Sequence, residues 1–164
     1  KTVAGQHKAT GEEDTILGRA GNERIDGAGG NDILRGGAGD DKNVGGLGVD
    51  LLIGNAGADK FIFKSVADSL VADADTINGF SHSQHDKIDL HRIDAVDDSF
   101  LAGNQAFHFI GSAGFTGGNT LAAAGELRFN AIDHKVEGDI NGDGTADFAI
   151  SVNVASLVSG DFIL

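Results

Sequence analysis

Residues 9–62 of the chain form six nine-residue repeats, which read ATGEEDTIL (9–17), GRAGNERID (18–26), GAGGNDILR (27–35), GGAGDDKNV (36–44), GGLGVDLLI (45–53) and GNAGADKFI (54–62). Glycine fills the first and fourth positions from the second repeat onwards. The eighth position is large and apolar in every repeat except the fourth, which has Asn43. The sixth position is acidic throughout: Asp14, Glu23, Asp32, Asp41, Asp50 and Asp59. A flexible linker would not keep an apolar residue in register, so the spacing predicts a folded repeat.

The chemistry of the repeat is that of a cation site. Glycine permits positive φ and close backbone approach, so the first six residues predict a tight turn with inward carbonyl groups. The last three residues predict a short strand in which the middle, apolar side chain faces inwards. Carbonyl oxygens plus a carboxylate suit Ca²⁺, which takes about six to eight oxygen ligands in flexible geometry, whereas Mg²⁺ requires a rigid octahedron. The sequence therefore predicts calcium sites between neighbouring turns.

These repeats resemble the glycine-rich nonapeptide repeats of the repeats-in-toxin (RTX) family. The resemblance implies an all-β, right-handed parallel β-roll in which two repeats form one coil, so that each repeat stacks on the next but one. The implied acidic pairs are Asp14 over Asp32, Glu23 over Asp41, Asp32 over Asp50, and Asp41 over Asp59. The implied carbonyl ligands belong to Gly27, Gly29, Gly36, Ala38, Gly45, Leu47, Gly54 and Ala56.

Stacked acids also predict that folding depends on calcium. Neighbouring strands lie about 4.8 Å apart, and two unscreened carboxylates about 5 Å apart repel by roughly 3 kcal/mol at an effective dielectric constant of about 20. Several such pairs are comparable with a net domain stability of about 5–15 kcal/mol. We therefore expect the roll to be unfolded without calcium. About four to six Ca²⁺ ions would change the formal net charge of −13 to between about −5 and −1.

Composition argues against several classes of function. A net charge of −13 disfavours nucleic acid and anionic membrane surfaces as partners. No apolar run is long enough to cross a bilayer, and the absence of Cys excludes disulfides and thiolate chemistry within this sequence. No nucleophile elbow, phosphate-binding loop or His-Glu-x-x-His motif occurs, so we do not expect this chain to be an enzyme.

The rest of the chain predicts short strands connected by turns. The predicted strands cover residues 76–80, 87–90, 107–110, 126–130, 135–140, 147–152 and 161–164. Residues 92–104 predict one short helix, and 111–124 predict a loop. The predicted organisation is a linker at 1–8, the roll at 9–63, and an antiparallel β extension at 64–164 that completes one sandwich within the same structural domain.

Segments of this second half extend the resemblance. GADKFIF, DTINGF, HDKIDL, AGELRFN, GDINGDGTADFAI and the terminal DFIL are similar to the C-terminal domain of serralysin-type metallopeptidases, over roughly residues 10–164. The same type of module occurs in mannuronan C5-epimerases and secreted lipases. The resemblance implies one further calcium site, joining the end of the roll to the next strands, that uses some of the carboxylates of Asp75, Asp86 and Asp89; the alternative is that these are solvated charges at strand edges. It also implies that residues 161–164 act in export by the ABC-type (type I) machinery of Gram-negative bacteria, and therefore an extracellular protein.

Two interpretations apply to residues 139–147. Asp139, Asn141, Asp143 and Asp147 are spaced like the first, third, fifth and ninth positions of a calcium loop, but Ile150 stands where such a loop has a bidentate Glu. Asn-Gly-Asp-Gly between two alternating runs instead predicts a hairpin turn, which is the favoured interpretation.

The leading hypothesis is a non-catalytic calcium-binding module that folds after type I secretion and supports an upstream secreted enzyme, with a serralysin-type protease favoured. The alternative is a polysaccharide-binding module of a secreted epimerase or lyase. It rests on Arg24, Lys42 and Lys60, which recur every 18 residues at an outward position and suit an anionic polysaccharide such as alginate. The expected partners are the secretion machinery and an upstream catalytic domain, and we expect a monomer.

Overall fold

The computed structural model of the chain describes the backbone of residues 2–4 and all atoms of residues 9–96 and 103–164. Short 3₁₀ helices cover Val66–Asp68, His82–Gln84 and Ser159–Asp161, and the described residues contain no α-helix. The strands are β1 (Thr2–Ala4), β2 (Thr15–Leu17), β3 (Arg24–Asp26), β4 (Ile33–Ala38), β5 (Lys42–Val44), β6 (Leu51–Ala56), β7 (Lys60–Ile62), β8 (Asp75–Asn78), β9 (Lys87–Asp89), β10 (His108–Phe109), β11 (Glu126–Asn130), β12 (Lys135–Asp139), β13 (Phe148–Val152) and β14 (Phe162–Ile163).

The nonapeptide repeats stack as a parallel β-roll, which confirms the predicted fold class. Strands β2, β4 and β6 pair in parallel in one sheet, and β3, β5 and β7 pair in parallel in a second sheet. Ile33 is paired with Thr15 in one neighbouring coil and with Leu51 in the other, so the register advances by 18 residues per coil. Each repeat supplies one turn and one strand, and two repeats therefore complete a coil.

The roll continues beyond the predicted boundary at residue 63. Strand β8 pairs with β6, and β9 pairs with β7, both in parallel. The corresponding residues are now 25 and 27 positions apart instead of 18, because loops are inserted before each strand. One more coil is thus present than the nine-residue period predicts.

The remaining strands lengthen both sheets at their edges. The nine-stranded sheet has the order β1-β2-β4-β6-β8-β13-β12-β11-β10, and the five-stranded sheet has the order β14-β9-β7-β5-β3. Among the named strands, antiparallel pairing is confined to β11, β12 and β13, whereas β10 and β14 join their neighbours in parallel. The predicted antiparallel extension is thus present at β11–β13, with parallel strands added at its edges, and every predicted strand is present to within about two residues at either end.

One apolar core joins the side chains of both sheets. The eighth position is the middle residue of the short strand in each repeat. Because alternate residues of a strand face opposite sides, this residue faces inwards while its two neighbours face outwards, and it is almost fully buried. One apolar column, in the nine-stranded sheet, consists of Ile16, Leu34, Leu52 and Ile77, and a second, in the five-stranded sheet, consists of Ile25, Phe61 and Ile88, with Asn43 between the first two. Full burial of each large apolar side chain contributes about 1.5–3 kcal/mol.

Two further expectations need correction at the chain's irregular parts. Residues 2–4 of the predicted linker form β1 and pair in parallel with β2. Of the predicted helix at 92–104, residues 92–96 and 103–104 are not helical, and residues 97–102 lie outside the described part. The predicted loop at 111–124 has turns and no strand. None of the helices within the described residues is long and apolar enough to cross a membrane.

Candidate metal centre

Two columns of acidic side chains run along the roll at the points where turns lead into strands. The first carboxylate column consists of Asp14, Asp32, Asp50 and Asp75, which stand at the start of strands in the nine-stranded sheet. The second carboxylate column consists of Glu23, Asp41, Asp59 and Asp86, which stand immediately before strands of the five-stranded sheet.

In each column, every carboxylate after the first accepts a hydrogen bond at one oxygen from the preceding coil. The Asp14 backbone N–H donates to Asp32 Oδ1 over 2.7 Å, and the Glu23 N–H donates to Asp41 Oδ1 over 2.8 Å. The same bond then repeats, from Asp32 to Asp50 (2.8 Å), Asp50 to Asp75 (2.8 Å), Asp41 to Asp59 (2.9 Å) and Asp59 to Asp86 (3.0 Å). The four predicted stacked pairs are therefore confirmed.

In most of these accepting carboxylates the second oxygen has no hydrogen bond to the described residues. Five Oδ2 atoms are buried and accept no hydrogen bond within the described part of the chain; they belong to Asp32, Asp41, Asp50, Asp59 and Asp75. A buried ionised oxygen without a partner is strongly unfavourable, because it has lost water and gained nothing in return. These atoms are therefore the positions in the roll where a cation is most needed.

Protein groups bind the second oxygen at three of the four column ends, and among the described residues only the end at Asp75 keeps an unpartnered Oδ2. Asp14 Oδ2 accepts hydrogen bonds from the backbone N–H and the hydroxyl of Thr10, each 2.9 Å long. Asp86 Oδ2 accepts from the Ser81 N–H over 2.9 Å, and Glu23 Oε2 accepts from the Arg19 N–H over 3.3 Å. Unpartnered oxygens are thus concentrated in the interior of the roll.

Glycine at the first position of the repeat leaves the space that faces these oxygens. A methyl group added to Gly27 would lie 2.5 Å from Asp32 Oδ2 and 2.5 Å from the Gly45 carbonyl oxygen, much closer than van der Waals contact allows. The corresponding carboxylates crowd the added methyl group in the same way at Gly36, Gly45 and Gly54. The glycines are required here because a side chain would fill a space bordered by oxygen atoms.

The predicted carbonyl ligands fall into two groups. The carbonyl oxygens of Gly36, Gly45 and Gly54 face the first-position glycine of the preceding coil, and those of Gly45 and Gly54 lie there beside a carboxylate. In contrast, those of Ala38 and Ala56 already accept 2.7 Å bonds from backbone N–H groups, and that of Gly27 accepts one over 3.0 Å. Gly29 and Leu47 are joined by an isolated parallel bridge between coils. Three carbonyls that sequence reasoning missed also face the next coil: those of Gly21, Gly30 and Gly39.

A second set of polar side chains, at the fifth position of the repeat, supports the turns. Asn22 Oδ1 accepts from the Asp40 N–H, Asn31 Oδ1 from the Val49 N–H, and Asp40 Oδ1 from the Ala58 N–H, each over 2.9 Å. These bonds satisfy N–H groups that the strands do not pair, which holds successive turns in register. The signal was present in the sequence, because short amide or carboxylate side chains occupy this position in three consecutive repeats.

Burial changes the ionisation of the inner carboxyl groups. Loss of water raises the pKa of Asp75 to about 8, and the neighbouring charges of Asp50 and Asp68 raise it further against the opposing effect of the Asp50 hydrogen bond. Burial, followed by repulsion from neighbouring acids, also raises the pKa of Asp50 and of Asp59 to about 6. The pKa values of Asp32, Asp41 and Asp86 are raised mainly by the same loss of water.

These pKa values predict that protons and cations compete for the roll. Between the pKa of an unfolded Asp, about 4, and the raised folded values of about 6 to 8, the folded calcium-free chain binds more protons than the unfolded chain. Its free energy of unfolding therefore falls as the pH rises through this range. We therefore expect the calcium-free chain to gain β structure as the pH is lowered from 8 to 5, which circular dichroism without added calcium detects. A calcium-free spectrum that does not change over this pH range would contradict this prediction.

Asp75, Asp86 and Asp89 lie in different surroundings and do not converge on one point. Asp75 extends the first carboxylate column and Asp86 extends the second, so they lie in different sheets. Asp89 belongs to neither column, because its Oδ1 accepts hydrogen bonds from the backbone and the imidazole Nδ1 of His91. The first two residues prolong the predicted sites, and the third is held by a histidine.

The turn at 139–147 satisfies its own carboxylates. Asp139 is buried, and its two oxygens accept 2.6 and 2.8 Å bonds from the N–H groups of Gly142 and Gly144. Asp147 accepts from the Ile140 N–H and from the Asn141 amide. Strands β12 and β13 pair in antiparallel around this segment. The geometry favours the hairpin interpretation over a calcium loop.

The donor set of the columns fits calcium. No group of three or more His, Cys, Asp or Glu side chains converges among the residues described, so a metal in the roll would take few carboxylates and many backbone carbonyls. All the donors that face the inter-coil spaces are oxygens, which are the ligands of hard cations. Because the strands of parallel coils repeat at a fixed spacing, each coil offers the same oxygen-lined space again.

Stacked nine-residue repeats, glycine turns and two carboxylate columns define this protein as an RTX-type β-roll module. The chain belongs to the family described as Peptidase M10 serralysin C terminal, whose model matches residues 13–164. Its fold is similar to that of the AlgE6R3 subunit of the Azotobacter vinelandii mannuronan C5-epimerase, solved in solution. The two are 23% identical with a TM-score of 0.61, over 97% of this chain and 82% of that one. No curated protein matches the chain.

Proposed function

We propose that the chain is a non-catalytic calcium-binding module that folds outside the cell and supports an upstream secreted enzyme. The observation that carries the proposal is the set of five buried, unpartnered Oδ2 atoms, four of which face first-position glycines. Calcium would neutralise these carboxylates and accept carbonyl oxygens from adjacent turns, Gly36, Gly45 and Gly54 among them. The roll would then be stable only as a complex with its ions.

Because calcium binding and folding are coupled, the module would fold after export and not before it. Extracellular calcium sites have dissociation constants of about 10⁻⁴ to 10⁻³ M, so the low calcium of the cytosol leaves them empty. The unfolded chain could then pass through an ABC-type (type I) channel, and the binding free energy outside would become folding free energy. Membership of the serralysin C-terminal family supports a serralysin-type protease as the parent enzyme.

The C-terminal residues support this proposal through their resemblance to the family's ending, and they also have a structural role. Asp161 is buried and accepts a 2.7 Å bond from the Val158 N–H, while the His82 imidazole lies 3.0 Å from its other oxygen. Strand β14 pairs in parallel with β9. We propose that this segment serves export while unfolded and closes the five-stranded sheet once the ions have bound.

A crystal structure in calcium tests where the ions bind. Anomalous scattering should show two rows of ions, one beside Asp32, Asp50 and Asp75 and one beside Asp41 and Asp59. Coordination by the carboxylate Oδ2 atoms and by turn carbonyls is expected, at about 2.3–2.6 Å. Soaking in excess chelator should remove the peaks or dissolve the crystals. Acid columns that contact only water in calcium-soaked crystals would exclude the proposed sites.

The second candidate function is binding of an anionic polysaccharide, and a row of cations favours it. Strand pairing places Lys42 between Arg24 and Lys60 on the five-stranded sheet. These three side chains, with Lys64 and Arg92, line a groove of about 200 Å³. A concentration of positive charge on a chain of net charge −13 creates a local attraction for a polyanion.

Combined replacement of Arg24, Lys42 and Lys60 by Ala is expected to abolish retention on an immobilised polyuronate, because it removes the row of cations. The matched control replaces Arg19, Arg35 and Lys135 by Ala, since it changes the net charge equally at other sites. Affinity chromatography in calcium measures retention, and circular dichroism checks that both variants are folded. Equal retention of the variant, the control and the unmodified chain would eliminate this function.

A further inference from the structure

Asn43 is a polar interruption in the apolar core of the roll. It occupies the inward eighth position of its repeat and is fully buried. In the five-stranded sheet its register neighbours are Ile25 in one coil and Phe61 in the other. Neither Oδ1 nor Nδ2 of its amide forms a hydrogen bond within the described part of the chain. A stacked asparagine ladder is excluded, because both neighbours are hydrocarbon side chains.

An unpartnered amide in this position opposes folding. The group loses its hydrogen bonds to water and gains none in the protein, whereas an apolar side chain of similar size would gain from burial. Coils of a stacked repeat are stabilised chiefly by contact with their neighbours, so a weak contact interrupts propagation from one coil to the next. Asn43 lies in the middle of three successive repeat strands, between β3 and β7.

We infer that Asn43 raises the calcium concentration at which the roll folds, because it weakens the core and the ions must supply more of the stability. This inference rests on the proposed calcium-dependent folding. The eighth position of the other five repeats is apolar and at most 1% exposed, so Asn43 is the weak position of the repeat core. An apolar residue there would let the roll form at a lower calcium concentration.

The test compares Asn43→Leu and Asn43→Val with the unmodified chain and with Asn153→Leu. Asn153 is exposed, so the control adds the same hydrocarbon to the surface instead of the core. Removal of a buried, unpartnered amide should raise the folding constant roughly tenfold or more. If about four ions bind cooperatively, the calcium midpoint falls by the fourth root of that factor, about 2-fold.

Circular dichroism during calcium titration gives the midpoint, and urea unfolding at a fixed calcium concentration gives the folding constant. We expect at least one of the Asn43 variants to fold at lower calcium and to show more β structure in chelator, with Asn153→Leu unchanged. Unchanged or higher midpoints in both Asn43 variants would overturn the inference while leaving calcium-dependent folding intact. Full folding of the unmodified chain in chelator would instead defeat the proposed function.

Discussion

Replacement of Gly27 by Ala is expected to lower the free energy of unfolding in saturating calcium by roughly 2–5 kcal/mol, one of the largest effects of any single methyl group in this chain. The added carbon would lie 2.5 Å from both Asp32 Oδ2 and the Gly45 carbonyl oxygen. The φ angle of Gly27 lies outside the left-handed region, so Ala meets no backbone strain there. The destabilisation would come from the loss of space beside two oxygen ligands.

Urea unfolding at several calcium concentrations measures this effect, and equilibrium dialysis counts the bound ions. The variant should bind fewer ions than the unmodified chain. Gly11→Ala is the matched control, because a methyl group at Gly11 meets no atom within 4 Å. If Gly27→Ala and Gly11→Ala have the same stability and ion count, the space facing Asp32 is not part of a cation site.

Replacement of Asp50 by Ala is expected to have an effect of similar size. Asp50 Oδ1 accepts the N–H of Asp32, and its Oδ2 is one of the unpartnered oxygens. An unsatisfied buried N–H alone costs about 1–3 kcal/mol, and the loss of a charged ligand adds to this. Asp50→Asn keeps an acceptor for Asp32 but lacks the charge, so in calcium its stability should lie between those of Asp50→Ala and the unmodified chain.

Without calcium the comparison between the unmodified chain and Asp50→Asn should reverse. Burial raises the pKa of Asp50 to about 6, so at pH 8 this carboxylate is ionised and destabilises the calcium-free roll. The neutral amide removes that repulsion, and residual structure in chelator should increase. Urea unfolding and circular dichroism, with and without calcium, measure the order of stability of the two chains under each condition. The control replaces exposed Asp133 by Asn. An Asp50→Asn variant that is weaker under both conditions would argue against charge neutralisation by the ion.

Strict periodicity explains why much of this site could be predicted from the sequence. A fixed step of 18 residues fixes which acids stack, and the hydrogen bonds from Asp14 to Asp32 and from Glu23 to Asp41 follow it. The same step places large apolar side chains in two inward columns, one for each sheet, because strand residues alternate between two faces. The cation row of Arg24, Lys42 and Lys60 follows from the same register.

The prediction fails where the period changes. The spacing from Asp50 to Asp75 is 25 residues, and that from Asp59 to Asp86 is 27. Because loops of different length precede its two strands, the extra coil does not follow the nine-residue repeat and is not detected by it. The sequence predicts Asp75 and Asp86 as candidate calcium ligands. Their separation into two columns depends on which sheet each following strand joins. That choice is made by long-range pairing of β8 and β9, which local sequence does not specify.

Side chains that satisfy backbone groups are a second source of error. Asp89 is equivalent to Asp75 and Asp86 in its sequence context, but His91 contacts its carboxylate in the folded chain. Asn22, Asn31 and Asp40 also follow the period, but their hydrogen bonds to backbone N–H groups depend on how the turns stack, which the sequence alone does not specify. Asn43 was visible as a departure from the pattern, but its lack of hydrogen bonds could be established only from the packed core.

Circular dichroism of the calcium-free chain is the most direct test of the idea that divalent ions complete this roll. In excess chelator at neutral pH, the far-ultraviolet spectrum should be that of an unfolded chain, and millimolar calcium should restore β structure cooperatively, whereas equal magnesium should not. A chelator-treated chain that already has its full β-sheet spectrum, with no change on adding calcium, would contradict the account.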